Sequence, residues 1–267
     1  MDFSFQHRDP LNEYRWRDMT GALASVAEAA WTYGGPEKSL SAQLLSPHWK
    51  LCVAVERQWR QGRVEAASVR LLGPVLKPRW QAPSQGTEII AVRLHPEAAA
   101  GLVDCVPGDI ADEDVDIGTV EGVASVRRLA EQAASAEAVT AELLKLCARH
   151  AATAHTTPRV AAAARLIRAS GGRRSVRLIA DELGTSERTL HRGFVAEVAL
   201  APKKYARLVR LQRLLLRADE LSRPDWADLA YAHGFSDQAH MSSEVKALTG
   251  ERLTRLHSLR RFGLATP

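Results

Sequence analysis

Four side chains of one predicted helix, residues 187–198, are of types that can contact the edges of nucleic-acid bases: Arg188, Thr189, His191 and Arg192. Arginine suits a bidentate contact with guanine, and the threonine methyl group can touch the methyl group of thymine. The histidine could equally form a hydrogen bond within the protein. For the two arginines the alternatives are a solvated surface or a contact with phosphate. This chemistry depends on the elements that position the helix.

A pattern that would position this helix occurs twice, 50 residues apart. Ala180 is followed four residues later by Gly184, and Ala230 four residues later by Gly234. The small alanine lets a second helix cross closely, and the glycine adopts the left-handed conformation that ends the first helix. Apolar pairs that would seat the second helix on a core follow: Leu190 with Phe194, and Met241 with Val245. The pattern predicts two helix-turn-helix units, at about residues 175–198 and about residues 225–248.

The second unit offers mainly uncharged side chains. Its candidates for contact with bases are Gln238, His240 and Ser242. The candidates for contact with DNA phosphates in this half of the chain are basic residues near helix ends: Arg173, Arg174, Lys203, Lys204 and Lys246. A long helix that begins at Pro202 would join the two units about one turn of DNA, roughly 34 Å, apart. We expect the arginines along that helix to be solvated or paired with acids.

The charge is concentrated in the same half of the chain. Residues 158–267 carry 20 basic and 11 acidic side chains, whereas residues 1–157 carry 16 basic and 20 acidic ones. A basic half is typical of a module that binds a polyanion. With 46% apolar residues and a net charge of +5, the chain is not expected to be disordered. We expect no membrane span and no export signal, and three scattered cysteines suit the cytoplasm.

The stretch IADELGTSERTLHRGFVAEVALAPKKYARLVRLQRLL, followed by LAYAHGFSDQAHMSSEVKALTGERL, resembles the DNA-binding domain of AraC/XylS transcriptional regulators. The resemblance implies an all-α domain of seven helices that binds DNA in activation or repression. The phrases AWTYGG, LLSPHW, LLGPV and VRLHPEAAAGL resemble the small cupin-like sensor domains of one branch. Four residues depart from the family pattern: Ser243 stands where Arg is usual, Val245 where Phe is usual, Leu253 where Pro is usual and Ala199 where Gly is usual. These departures argue against base contact by the second helix-turn-helix unit.

The predicted fold class is therefore α+β, with a small cupin-like β-barrel followed by the helical domain. Short strands separated by turns indicate the barrel. The predicted divisions are a β-rich, effector-sensing domain at residues 1–119, a helical linker or dimerisation helix at 120–156, and the DNA-binding domain at 157–267. Five aromatic residues of the first part could line an apolar ligand pocket or belong to the core: Trp31, Tyr33, Trp49, Trp59 and Trp80.

The leading interpretation is a cytoplasmic regulator that binds double-stranded DNA under the control of a small molecule or partner at its N-terminal domain. A homodimer and, for an activator, contact with RNA polymerase would accompany that function. The histidines of residues 1–150 are widely spaced, and no nucleophile elbow or phosphate-binding glycine loop occurs. We therefore expect no catalytic residue, no metal and no cofactor. The alternatives are a cupin-type metal enzyme with an accessory helical domain, and a DNA-binding protein without an effector.

Overall fold

The computed structural model of the 267-residue chain divides into two compact units. The first comprises residues 1–41, 50–74 and 82–156, and the second comprises residues 42–49, 75–81 and 157–267. The structure describes these residues: 7–9, 14–35, 43–45, 51–73, 75, 79–81, 84–95, 102, 110, 112–153, 157–198, 200–221 and 223–261.

The described residues include nine strands, and all of their pairings are antiparallel. The strands are β1 (His7–Asp9), β2 (Tyr14–Asp18), β3 (Ala27–Gly34), β4 (Gln43–Leu45), β5 (Leu51–Arg60), β6 (Arg63–Leu72), β7 (Arg79–Gln81), β8 (Thr87–Leu94) and β9 (Asp114–Asp116). Seven of them form one sheet in the order β1-β2-β3-β8-β5-β6-β9, and β4 pairs with β7. An antiparallel sheet is therefore the main feature of the first unit.

The closed barrel predicted for this region is wrong for the strands that the structure describes. A barrel closes when its two edge strands pair with each other. In this sheet β1 and β9 are the two edges, and within the described ranges they are not paired with each other. Both edge strands are only three residues long, so they offer little backbone for closure. The described sheet is open.

Two helices, α1 (Val123–Glu131) and α2 (Ala136–Thr153), pack on one face of this sheet. Alternate residues of a strand point to the same face, and the apolar ones of β5 and β8 meet helix side chains in one core. That core includes Val53, Val55, Ile90 and Val92 from the strands, with Val126, Val139 and Leu143 from the helices. The segment predicted to be a linker or a dimerisation helix thus contributes to the core of the first unit.

The second unit contains seven helices within the described residues. They are α3 (Pro158–Ala169), α4 (Val176–Glu182), α5 (Glu187–Val198), α6 (Pro202–Asp219), α7 (Trp226–Ala232), α8 (Gln238–Thr249) and α9 (Leu253–Arg261). The long helix α6 runs through the middle of their core, and its buried residues include Tyr205, Leu208, Leu211 and Leu215. Phe194 of α5 packs edge-on against Tyr205, with ring centroids 5.5 Å apart. The core of this unit is continuous from α3 to α9.

Helix α3 is attached to α5 at its first residues. Thr157 is the N-cap residue and Pro158 occupies the first turn, but the Thr157 side chain makes no capping bond to the backbone of its own helix. Instead, the Glu197 carboxylate accepts hydrogen bonds from the Thr157 backbone N–H at 2.8 Å and from its hydroxyl at 2.5 Å. Helices α3 and α5 also pack closely, because a Cβ at Gly193 would lie 2.8 Å from Val160 Cγ2. The C-terminal part of α5 is therefore attached to the start of the unit.

The turn between α3 and α4 approaches the backbone of α6 so closely that only glycine fits. Gly172 has a φ of +74°, and a Cβ there would lie 2.1 Å from the carbonyl oxygen of Ala206. Gly184, in the turn after α4, has a φ of +60° but open space around its Cβ position. Alanine at Gly172 would therefore meet both backbone strain and a steric clash, whereas alanine at Gly184 would meet strain alone.

We expect Gly172→Ala to lower the free energy of unfolding of the helical unit by about 2–4 kcal/mol. The matched control Gly184→Ala should lower it by about 1 kcal/mol, the cost of a left-handed conformation alone. Urea denaturation of the full-length protein, followed by the loss of helical circular dichroism, measures both. Equal losses for the two variants would show that the approach to Ala206 is unimportant.

Candidate nucleic-acid interface

The first helix pair, α4 and α5, is fixed by hydrogen bonds at both ends of its turn. Ser175 begins α4, and its hydroxyl accepts a bond from the Leu178 N–H at 3.2 Å. Past the left-handed Gly184, the Thr185 N–H donates to the Ala180 carbonyl at 3.0 Å. The Ser186 hydroxyl then accepts a bond from the Thr189 N–H at 3.1 Å. These bonds satisfy the free backbone groups at the helix ends and hold α5 at a fixed angle to α4.

The second helix pair, α7 and α8, repeats this geometry with different residues. Asp225 begins α7, and its carboxylate accepts from the backbone N–H groups of Ala227 and Asp228. After the left-handed Gly234, the Phe235 N–H donates to the Ala230 carbonyl at 2.9 Å, as Thr185 does to Ala180 in the first pair. The Asp237 carboxylate caps α8 by accepting from the His240 N–H at 2.7 Å. The turn of the second pair is one residue longer, so α5 and α8 correspond with an offset of 51 residues.

All four candidate residues of α5 lie on its exposed face: Arg188, Thr189, His191 and Arg192. Leu190 and Phe194 point the other way and are at most 2% exposed. The Thr189 hydroxyl lies 2.9 Å from the hydroxyl of the cap Ser186, and the side chain is exposed. With the described residues, the side chains of Arg188, His191 and Arg192 form no ion pair or hydrogen bond.

The candidates of α8 lie in different surroundings. Gln238 is exposed and Ser242 is half-buried. His240 is exposed, but its Nδ1 lies 2.9 Å from the Ser236 hydroxyl and its Nε2 lies 3.8 Å from a Glu244 carboxylate oxygen. Its ring also packs edge-on against Phe235. His240 is therefore held within the protein.

A groove of about 990 Å³ separates the two helix pairs of this unit. Its walls carry side chains of α5 and α8, and α6 supplies part of its lining. Seven cations line it: Arg173, Arg174, Arg177, Arg188, Lys203, Arg207 and Arg210. Two acids, Glu187 and Glu244, line it as well. The groove is positively charged on balance and has the concave form that a polyanion would need.

The phosphate candidates differ in how far the protein itself uses them. Arg173 donates to the Ser170 carbonyl at 3.2 Å and to the Ala232 carbonyl at 3.5 Å. Arg174 forms an ion pair with Glu182. Lys203 is exposed in the groove, and Lys204 is half-buried. Lys246 is exposed at a second, smaller pocket. The lysines are thus the least engaged of these candidates.

The arginines along α6 mostly stabilise the unit. Arg207 donates from Nε to Glu244 at 3.1 Å, which joins α6 to α8. Arg210 donates to the carbonyl oxygens of Gly172 at 2.9 Å and Gly234 at 3.3 Å, and lies 5.2 Å from the ring centroid of Phe235. Nothing in the local sequence pattern identifies Glu244 as the partner of Arg207, because the two are 37 residues apart.

Two ionisable groups of the second pair have shifted pKa values. The Asp237 carboxylate is a helix cap, and the hydrogen bond from the His240 backbone lowers its pKa from the ordinary value. Partial burial lowers the pKa of His233, and the positive charges of Arg173, Arg213 and Arg217 lower it further. Both shifts favour the protonation state that suits the cap and the cationic surroundings.

The structure describes the side chains of three of the five aromatic candidates for a ligand pocket. Trp31 is half-buried with Arg93 4.8 Å from its ring centroid, and Tyr33, two residues along β3, is buried on the same face. Trp59 instead donates from its indole nitrogen to Glu88 at 2.9 Å. Trp49 lies outside the described residues, as does the side chain of Trp80. Among the described side chains, Trp31 and Tyr33 lie on one face of β3, and the ligand pocket stays a prediction.

Glu88 belongs to a buried ion pair in the core of the first unit. Arg57 is 2% exposed and contacts the Glu88 carboxylate through Nε at 3.0 Å and a terminal guanidinium nitrogen at 2.8 Å. Arg57 also donates to the Ala134 carbonyl at 2.6 Å, so the pair joins the sheet to the segment between α1 and α2. Paired and hydrogen-bonded in this way, the two charges are tolerated in the interior.

The described residues contain no group of three or more His, Cys, Asp or Glu side chains placed to hold a metal ion. Nor does any helix in the described ranges have the length and apolar character needed to cross a membrane.

Comparisons with known proteins match the second unit most directly. A family model described as a helix-turn-helix domain matches residues 179–258. The HTH-type transcriptional activator RhaS of Escherichia coli strain K12 / DH10B is 42% identical over 67 residues, which are 24% of this chain and 23% of RhaS. The chain thus spans about a quarter of the length of this relative.

Two solved structures are also similar to the chain. An AraC-type DNA-binding domain protein from Chromobacterium violaceum is 27% identical with a TM-score of 0.35, covering 39% of this chain and 92% of that one. ToxT from Vibrio cholerae O395 is 10% identical with a TM-score of 0.47, covering 92% of this chain and 97% of that one.

We expect the thermal stability of the protein to fall with pH partly through His233. Because its pKa is lowered in the folded state, the unfolded chain takes up the proton first as the pH drops through the ordinary value of 6.5. His233→Gln should therefore lose less melting temperature than the wild type between about pH 7.5 and pH 5.5. The same substitution at the exposed His191 is the control. An undiminished loss in His233→Gln would contradict the expectation.

Proposed function

We propose that this protein, whose C-terminal part is an AraC-type helix-turn-helix domain, is a sequence-specific DNA-binding transcription regulator. The observation that carries the proposal is the position of α5. Its core side is buried, its start is capped by Ser186, and its opposite face presents two unpaired arginines and a threonine methyl group. A helix held in this way can enter the major groove with its N-terminal residues on the base edges.

In this proposal the residues of α5 have separate roles. Arg188 and Arg192 contact guanine through their guanidinium groups, and Thr189 contacts a thymine methyl group through its own methyl group. His191, exposed beside them on α5 and lining the groove, is a further candidate for contact with a base. The groove between the pairs then faces the phosphate backbone, with Lys203 as its least engaged cation. Arg173 and Lys204 are secondary phosphate contacts.

Both helix pairs are helix-turn-helix units in this proposal, and they contact consecutive major grooves on one face of the DNA. The repeated caps and turns of the two pairs support this function. Helix α8 has Ala239 and Ser243 where α5 has Arg188 and Arg192. Since His240 is also engaged within the protein, the first helix pair supplies most of the base preference, and Gln238 and Ser242 of the second pair contribute less.

The other parts of the sequence interpretation stay predictions. They are control by a small molecule or partner of the first unit, dimerisation through residues 120–156, contact with RNA polymerase, and cytoplasmic location. The domain limits at residues 119, 156 and 157 are proposed with them. The proposal assigns catalysis to no residue.

Recovery of the genomic DNA fragments that the protein binds tests the function. We expect enrichment of a shared sequence with two parts about one helical turn apart. Inserting about half a turn between the two parts should weaken binding to the level of random DNA, because the second helix pair would then face the wrong side of the duplex. Recovery of random fragments only, or of none, would refute sequence-specific regulation.

We expect Arg192→Ala to cost about 1–3 kcal/mol of binding free energy, through lost discrimination at one base position. The matched substitution on the second helix pair, Ser243→Ala, should change the affinity little. Gel-shift titrations on the recovered sequence, and on versions with each base pair changed, measure both. Equal losses for the two variants would contradict the unequal roles of the helix pairs.

A further inference from the structure

The second helix pair carries a pocket that shares no lining residue with the central groove. It has a volume of about 340 Å³ and is formed by α8 with the start of α9 and by Trp226 at the start of α7. Two cations, Lys246 and Arg252, line it together with three hydroxyl groups, those of Ser242, Ser243 and Thr254. Cations and hydroxyls together are the donors that bind the oxygens of a phosphate group.

The two cations of this pocket are not neutralised by the protein. Neither Lys246 nor Arg252 forms an ion pair or a side-chain hydrogen bond within the part of the chain that the structure describes. The nearby acid Glu251 instead lies 3.5 Å from Arg255, and Glu244 is bonded to Arg207 at 3.1 Å. The pocket therefore keeps a local charge of two without a counterion from its own side chains.

Comparison of the two helix pairs shows where this charge lies relative to the base-contacting positions. With the offset of 51 residues, Ser243 of α8 corresponds to Arg192 of α5, and Lys246 corresponds to Val195. Val195 is 44% exposed, so this position faces outward in the first pair too. The exposed cation of α8 thus lies three residues, or about 4.5 Å along the helix axis, beyond the position that Arg192 occupies in α5. At that position Lys246 lies beside a pocket lined by hydroxyl groups.

We propose that this pocket binds one phosphate of the DNA backbone, with Lys246 and Arg252 as the cations and the three hydroxyls as further donors. The inference rests on the proposed function and extends it, because the second helix pair then binds a backbone phosphate whereas the first pair contacts bases. Through this phosphate the second helix pair fixes the register of the protein on DNA, in addition to its lesser base preference.

The test uses the full-length protein and a labelled random-sequence duplex long enough for both helix pairs. Fluorescence anisotropy gives the affinity at several salt concentrations for wild type and for the double variant Lys246→Gln, Arg252→Gln. Loss of a phosphate contact should reduce the slope of log affinity against log salt by about 0.9. The control Arg165→Gln removes an exposed, unpaired cation of α3, and it should leave the slope unchanged. Arg252→Lys should retain most of the wild-type slope.

A second measurement separates DNA from a free anion. We expect the double variant to lose affinity by the same factor for random DNA and for the recovered genomic sequence, with its base preference intact. Melting curves with inorganic phosphate test the pocket directly. If phosphate stabilises the wild type but not the double variant, while their DNA affinities are equal, the pocket takes a free anion and the inference is wrong.

The two proposals fail in different ways. If the wild type binds the recovered sequence and the double variant keeps the wild-type slope, the phosphate pocket is refuted and the regulator stands. If the wild type shows no affinity for any duplex, both fall. A double variant that does not fold, as judged by its circular dichroism, is replaced by the two single substitutions, each of which should reduce the slope.

Discussion

The arrangement of the helical unit depends on Arg210 at the middle of α6. Its guanidinium group donates to the carbonyl oxygen of Gly172, in the turn before the first helix pair, and to that of Gly234, in the turn within the second. The group also lies over the ring of Phe235. One side chain thus joins both pairs to the same helix. Because Gly172 also contacts the backbone of α6 closely, the spacing of the two exposed helices is set by packing and hydrogen bonds rather than by a flexible connection.

The two helix pairs show how one backbone arrangement can carry two kinds of surface. Their turns form the same hydrogen bond, from the residue after a left-handed glycine to the carbonyl of a buried alanine. Their second helices are capped at equivalent positions, by Ser186 and Asp237. The exposed residues of α5 and α8 differ in type, because the packing of the core does not constrain them. Exposed arginines on α5 favour direct contact with bases, whereas α8 combines hydroxyls with a displaced lysine.

Electrostatics distinguish the cations that stabilise the fold from those available to a ligand. Arg207 and Arg174 have carboxylate partners, and Arg210 and Arg173 donate to carbonyl oxygens. These bonds hold elements together and reduce the charge offered to a partner. The remaining exposed cations, such as Arg188, Arg192 and Lys246, lie on the outward faces of α5 and α8. The net charge of the unit therefore overstates the charge that a polyanion would meet.

The local features of this protein could be predicted from its amino-acid sequence. The mixed composition of a β-rich first part and a helical second part, the glycines that end α4 and α7, and the apolar residues that seat α5 and α8 follow from signals within a few residues. Helix propensity, left-handed glycine and side-chain periodicity act at that range, so one sequence is enough to recognise them.

Which distant groups meet is visible only in the folded chain. The strand order of the open sheet places strands side by side that are not consecutive in the chain. The buried ion pair joins Arg57 to Glu88, 31 positions away, and Arg207 pairs with Glu244, 37 positions away. The fold likewise places Arg210 against the carbonyl groups of Gly172 and Gly234, 38 and 24 positions away. Such pairings depend on how whole elements pack, and the energy that selects them comes from burial and long-range hydrogen bonds, which no local pattern encodes.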